Sequence, residues 1–177
     1  RGNAVTAGDI GYRYVVQTLQ DRGASDVLFD MNSRYDVPGY GYQIAMGETA
    51  LAESWQSRDY LSHNHCMLGH LYSWLFSGIG GISQESGSTA YKRIVIDPQI
   101  VGDLRDARVS FRSPYGLIRS EWKDAPDEFV QTIEIPANAT ARICLPATDP
   151  AKVTESGKPV SGRKDMAVES GTDGRIE

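Results

Sequence analysis

Residues 38–74 read PGYGYQIAMGETALAESWQSRDYLSHNHCMLGHLYSW, and the way this run is parsed decides the fold. It crowds tyrosines, two tryptophans, three histidines and two glutamates between segments of helical spacing. The breakers over 33–39 read as a loop, and residues 42–46 as a short helix that Gly47 interrupts. In Glu48 to Trp55 the residues Ala50, Leu51, Ala52 and Glu53 favour helix, whereas Thr49 after a glycine permits an extended chain; both readings stand. After a loop over 56–61, Ser62 or Asn64 caps a helix whose stripe is Met67, Leu68, Leu71, Trp74 and Leu75, ended by Gly78. The following GIGGI lacks phosphate-loop spacing and its Lys-Ser/Thr, so it reads as a helix exit.

Upstream, Tyr12, Val15, Val16 and Leu19 follow i, i+3, i+4, i+7 spacing, with Asp9 as N-cap and Gly23 as the residue past the end. Ala24, Val27, Leu28 and Met31 continue as a second stripe. Two amphipathic helices joined at a glycine form an antiparallel hairpin, the unit of helical barrels and solenoids. Such helices expose apolar stripes wherever their neighbours are missing, so self-association into a homo-oligomer or partial disorder of residues 1–35 is expected.

Downstream, the polar run SQESGST within 83–90 reads as a linker, after which the period changes from helical to alternating. Strands are expected over 93–96, 107–111, 116–123, 129–135 and 140–145, with turns at SPYG, DAPD and PANA and a hairpin near 155–158. This spacing points to an antiparallel β-sandwich. The division is therefore helices over 1–82, a linker over 83–90 and a sheet domain over 91–177. The chain starts without an initiating Met and ends at GRIE without a closing apolar strand, so a fragment of a longer protein is expected.

Composition narrows the chemistry. With 177 residues, 40% of them hydrophobic and 23% charged, the chain can bury a globular core. The net charge is −5 and no basic cluster is visible, which argues against nucleic acid. No apolar run reaches the roughly 18 residues of a membrane span. Cys66 and Cys144 fall in different segments and read as two buried free thiols.

Glu53 is the carboxylate singled out. Carboxyl groups in apolar, aromatic company take up protons more readily and keep one orientation, and glycoside hydrolysis needs two such groups. The plain alternative is a helix-surface glutamate in an ion pair. His65 falls in the first turn of the expected helix, off its stripe, where the macrodipole favours a neutral ring able to bond hydroxyls. His63 and Asp59 lie near it, but the spacing is not that of a metal site, and no metal or cofactor is expected. His70 and Trp74 read as packing. Tyr40, in a Gly-flanked loop, and Trp55 are candidate platforms for a sugar ring. Asn138-Ala139-Thr140 matches a glycosylation pattern but reads as a tight turn.

Taken in order, TAGDIGYRYVVQTLQDRGASD, YDVPGYGYQIAMGETALAESW and SHNHCMLGHLYSWLFSGIGGI resemble the end of the (α/α)6 catalytic barrel of glycoside hydrolase family 78, the bacterial α-L-rhamnosidases. The runs YKRIVIDPQIVGDLRDARVSFRSPYGLIRSEW and IEIPANATARICLPA resemble the β-sandwich that follows that barrel. The resemblance implies an inverting hydrolase of rhamnosyl glycosides, secreted or periplasmic. It places the general base at Glu53, from the Gly47-x-Thr49-x-x-x-Glu53 segment, and a sugar contact at His65, from Asn64-His65. The general acid would belong to upstream barrel segments, so this chain alone is expected to be inactive. Two aromatic positions depart from the family pattern: Tyr40 stands for a tryptophan, and Ala52 replaces the first tryptophan of Trp-Glu-x-Trp. A carbohydrate-binding module and a catalytically lapsed relative are the alternatives.

Overall fold

In the computed structural model, which describes residues 2–171 and 175–177, the chain divides into two units. One comprises Arg1–Ile79 and Gln99–Leu104; the other comprises Gly80–Pro98 and Arg105–Glu177.

The helical unit opens with α1 (Asp9–Asp21) and α2 (Ser25–Ser33). The stripe of α1 faces inward as its spacing demands, with Tyr12 and Val16 buried. Gly8, not Asp9, is the N-cap, and the Asp9 carboxylate accepts from the Ile10 N–H instead. At the other end Ala24 N bonds Leu19 O and Gly23 N bonds Gln20 O, the pair of reverse bonds that closes a helix on a left-handed glycine. Leu28 of α2 is fully buried. The Tyr12 hydroxyl donates to Asn32 Oδ1 at 2.6 Å, and Asn32 Nδ2 donates to Leu28 O at 2.7 Å, locking the hairpin.

Next comes α3 (Tyr40–Ala45), which starts earlier than its sequence indicates. Gly41 explains its seat: a Cβ there would lie 2.3 Å from the Arg34 carbonyl oxygen, so only glycine lets the helix settle on that backbone.

The long helix expected from residue 64 to Gly78 is not formed. Cys66–Leu68 is a 3-10 turn, α4 covers only Leu71–Trp74, and Leu75–Ile79 is a π-helical turn. Leu68 and Trp74 are buried while Met67 and Leu75 remain exposed, so the apolar stripe does not face one wall. Trp74 sets the geometry: its Nε1 donates to the buried Ser25 Oγ at 2.7 Å, and Ser25 in turn donates to Gln99 Oε1. The indole also occupies the space a side chain at Gly78 would need. Ile10, Tyr14, Ile44, Met46, Tyr60 and Tyr72 are exposed on this unit. Among the described residues no helix is long and apolar enough to cross a membrane.

The sheet unit holds β1 (Ile82–Gln84), β2 (Arg93–Ile96), β3 (Asp106–Ser113), β4 (Gly116–Ala125), β5 (Glu128–Glu134), β6 (Thr140–Ile143) and a ribbon of β7 (Thr154–Glu155) with β8 (Lys158–Pro159). The run read as linker therefore begins inside a strand, where Ser83 and Gln84 pair with Val95 and Ile94. One sheet has the order β3-β4-β5 and is antiparallel; the other has the order β1-β2-β6, and its β2–β6 pair is parallel, a departure from the all-antiparallel expectation. Ile118, Ser120 and Trp122 alternate onto the buried face of β4, and Ile82, Ile94 and Ile96 fill the other sheet. Asn138 is left-handed (φ 63°) in the turn before β6, in keeping with a tight turn.

The last residues join this core. Ile176 is buried, accepts from Leu145 N at 2.9 Å and donates to Ala147 O at 2.8 Å. Arg175 pairs with Asp97 at 2.8 Å and Arg142 with Glu177 at 3.1 Å. Both cysteines are free, but Cys66 is exposed rather than buried because it opens a short turn. Burial pushes the Cys144 thiol up to about 11.

Candidate functional site

The segment left open between helix and strand, Glu48 to Trp55, is neither; it is irregular chain with bends and a turn. Glu53 N donates to Ser62 O at 2.8 Å and His65 N donates to Leu51 O at 2.7 Å. Two stretches, around 51–53 and 62–65, thus lie side by side and close the base of the intervening loop. Glu53 and His65 are brought to the same part of the unit by these backbone bonds, not by a helix. His65 consequently lies in extended backbone before a three-residue turn, and the macrodipole reading of its ring does not apply.

Glu53 is exposed, not enclosed in apolar company. Its Oε2 accepts from Ser62 N at 3.1 Å, which leaves Oε1 without a hydrogen-bond partner among the described residues. The residues on either side of it are held from below. Gln43, 3% exposed, donates from Nε2 to Ser54 O at 3.1 Å and accepts at Oε1 from Ala52 N at 3.3 Å.

Glu53 lines an open cleft of about 610 Å³ together with residues 5–8, Asp9, Trp55, Gln56 and Leu61. That volume lies within the range of small-molecule sites. His65 and Tyr40 do not line it. The His65 ring is partly buried, and its Nε2 is shut from solvent 3.7 Å from Asp9 Oδ2. His70 Nε2 meets the Asp9 carbonyl at 3.2 Å, so two imidazoles flank the first residue of α1. His63 turns elsewhere, onto Glu48 at 2.8 Å; that hydrogen bond raises its pKa above 6.5.

The two aromatic candidates are packed. Tyr40, at the start of α3, Tyr12 and Trp55 form a ring cluster with centroids 5.0 to 5.9 Å apart. Trp55 is 7% exposed and donates from Nε1 to Ala7 O at 2.7 Å, fixing the chain that leads to Asp9. Burial pushes the Tyr40 hydroxyl up to about 12. Trp55 lines the cleft, and Tyr40 packs edge-on against it.

Asp9 and Gln43 are functional candidates that sequence reasoning passed over. In the sequence Asp9 reads as a helix cap, and only the fold shows it sharing a cleft with Glu53. Gln43 sits in a short helix where nothing in the spacing marks a buried amide.

Residues 1–79 match the bacterial α-L-rhamnosidase six-hairpin glycosidase domain, and residues 81–159 match the bacterial α-L-rhamnosidase C-terminal domain. An α-L-rhamnosidase of Streptomyces avermitilis is 30% identical over 158 residues, and one of Formosa agariphila is 25% identical over 163. These alignments take in 84% and 89% of the chain but only 15% and 17% of those relatives. Among solved structures, the Streptomyces avermitilis α-L-rhamnosidase complexed with L-rhamnose superposes with a TM-score of 0.77 at 29% identity, over 84% of this chain and 15% of that one. The Aspergillus terreus α-L-rhamnosidase gives 0.73 at 32% identity, over 81% and 18%. Each of the two matched segments, residues 1–79 and 81–159, belongs to a bacterial α-L-rhamnosidase domain family, and the chain spans less than a fifth of the length of these relatives.

Proposed function

We propose that this chain is the C-terminal portion of an inverting α-L-rhamnosidase, secreted or periplasmic, that hydrolyses terminal α-L-rhamnosyl residues, with Glu53 as general base. The observation that carries the reading is the Glu53 carboxylate on the cleft wall, fixed through Oε2 by the Ser62 N–H while Oε1 stays unpaired among the described residues. A base in an inverting glycosidase must hold a water opposite the leaving oxygen, and its partner acid stands ~6.5–9.5 Å away across the sugar. Oε1 of Glu53 takes the water's proton as its oxygen bonds the anomeric carbon. The departing oxygen receives its proton from an acid outside this chain, so the chain alone is inactive. Asp9, on the same cleft, accepts hydrogen bonds from sugar hydroxyls, and His65 backs it.

A lapsed relative that binds without turnover is the second reading, favoured by the packing of Tyr40 and Trp55 against Tyr12 rather than open to a ligand. The test is hydrolysis of an aryl α-L-rhamnoside by the protein that carries this chain, compared with its Glu53→Gln variant. A fall in kcat of about 10²- to 10⁴-fold is expected for loss of a general base. Undiminished turnover in the variant removes Glu53 from the mechanism; no turnover in either, with rhamnose still bound, supports the lapsed reading.

A further inference from the structure

We infer that Gln43 is a positioning residue for Glu53, an inference that rests on the general-base reading above. A base works only if its oxygen stays within a fraction of an ångström of the attacking water, and Glu53 lies outside any helix or strand, tied through its own N–H and Oε2 to Ser62, with its two chain neighbours still to be fixed. The Gln43 amide supplies the missing frame. Its side-chain oxygen accepts a hydrogen bond from Ala52 N–H and its side-chain nitrogen donates one to the Ser54 carbonyl, so one planar group clamps the residues on both sides of the carboxylate. Only an amide carries donor and acceptor in that fixed relation; a carboxylate lacks the donor and an aliphatic chain lacks both.

The clamp is itself rigid. Gln43 is buried, its main-chain carbonyl accepts from Glu48 N at 3.0 Å, and α3 is seated on the Arg34 backbone through Gly41. The order in the chain makes sense of this: the helix that precedes the turn reaches forward to fix the turn's middle. Ala52, which receives one half of the clamp, is itself buried.

The experiment uses the protein that carries this chain, with an aryl α-L-rhamnoside as substrate, and compares Gln43→Met, Gln43→Glu and Glu53→Gln singly and in combination. Met keeps the length and volume and removes both bonds; Glu keeps the acceptor alone. The expected result is a fall in kcat of about 30-fold for Gln43→Met and about 5-fold for Gln43→Glu, with KM changed less than about twofold. In the Glu53→Gln background either Gln43 substitution produces no further fall, because the clamp acts only through that carboxylate. A structural role alone predicts equal losses in both backgrounds, and that result overturns the inference. So does unchanged kcat in both Gln43 variants while Glu53→Gln is impaired. Should Gln43→Met fail to fold, Gln43→Glu decides by the same comparison. Full activity in Glu53→Gln instead overturns the general-base reading, and the clamp with it.

Discussion

Replacing Trp55 with Phe separates the two tasks that the indole performs. Its Nε1–H donates to Ala7 O at 2.7 Å, and its ring meets Tyr12 edge-on at 5.0 Å and Tyr40 at 5.1 Å. Phenylalanine retains a ring in the cluster but loses the donor and the pyrrole half of the indole. Loss of the hydrogen bond costs about 1 kcal/mol, since the Ala7 carbonyl loses its partner. The missing ring atoms remove apolar contact at a site that is 7% exposed, for about another 1–2 kcal/mol including the space left behind. The expected destabilisation is thus about 2–3 kcal/mol. It is read as a lower urea midpoint by circular dichroism, with the slope unchanged. A second comparison isolates the rings. A cycle of Tyr12→Leu, Trp55→Leu and the double variant yields a coupling of about 1 kcal/mol for an edge-on pair. A loss below about 0.5 kcal/mol for Trp55→Phe, the range of an ordinary surface substitution, refutes the view that Trp55 anchors the cleft wall.

Gly41→Ala gains about 1 kcal/mol of helix propensity, but its methyl would meet the Arg34 carbonyl oxygen at 2.3 Å. The clash prevails, with a net loss of about 2 kcal/mol in the same urea titration. His63→Gln tests the pair with Glu48. The pKa of His63 is raised in the folded chain, first by its hydrogen bond to Glu48, so its stabilisation is complete below 6.5 and fades as pH rises through the raised value. Its melting temperature should therefore fall below that of the parent chain at about pH 5.5 and match it at about pH 8.5, and equal losses at both pH values refute the linkage.

Periodicity carried the first helix pair and most of the sheet into view. Tyr12, Val16 and Leu28 face inward as their spacing demands, and Ile118 and Trp122 alternate as a strand requires. It misled where tertiary bonds override local preference. The stripe from Met67 to Leu75 has helical spacing, but the Trp74–Ser25–Gln99 chain of hydrogen bonds draws residues 74–79 into a wider turn. The return of Gln99–Leu104 to the helical unit has no local signal, because its cause is the meeting of Gln99 with Ser25 far away in sequence. At the site, the sequence singles out Glu53 and Trp55 by an apolar, aromatic setting, but the carboxylate is exposed and the indole is packed. Their geometry was not legible: the backbone pairing of 51–53 with 62–65 and the amide under Glu53 join residues that no period links.

The match to the C-terminal domain stops at residue 159, yet Val160 and Ile176 are interior residues. Ile176 zips onto Leu145 and Ala147, and the arginines at 142 and 175 grip carboxylates on either side of it. The cooperative folding unit therefore runs past the recognisable homology. A protease that shaved the final residues would unlatch the edge of the sheet and strip Arg142 and Asp97 of their counter-charges, leaving a domain intact by alignment but frayed in water.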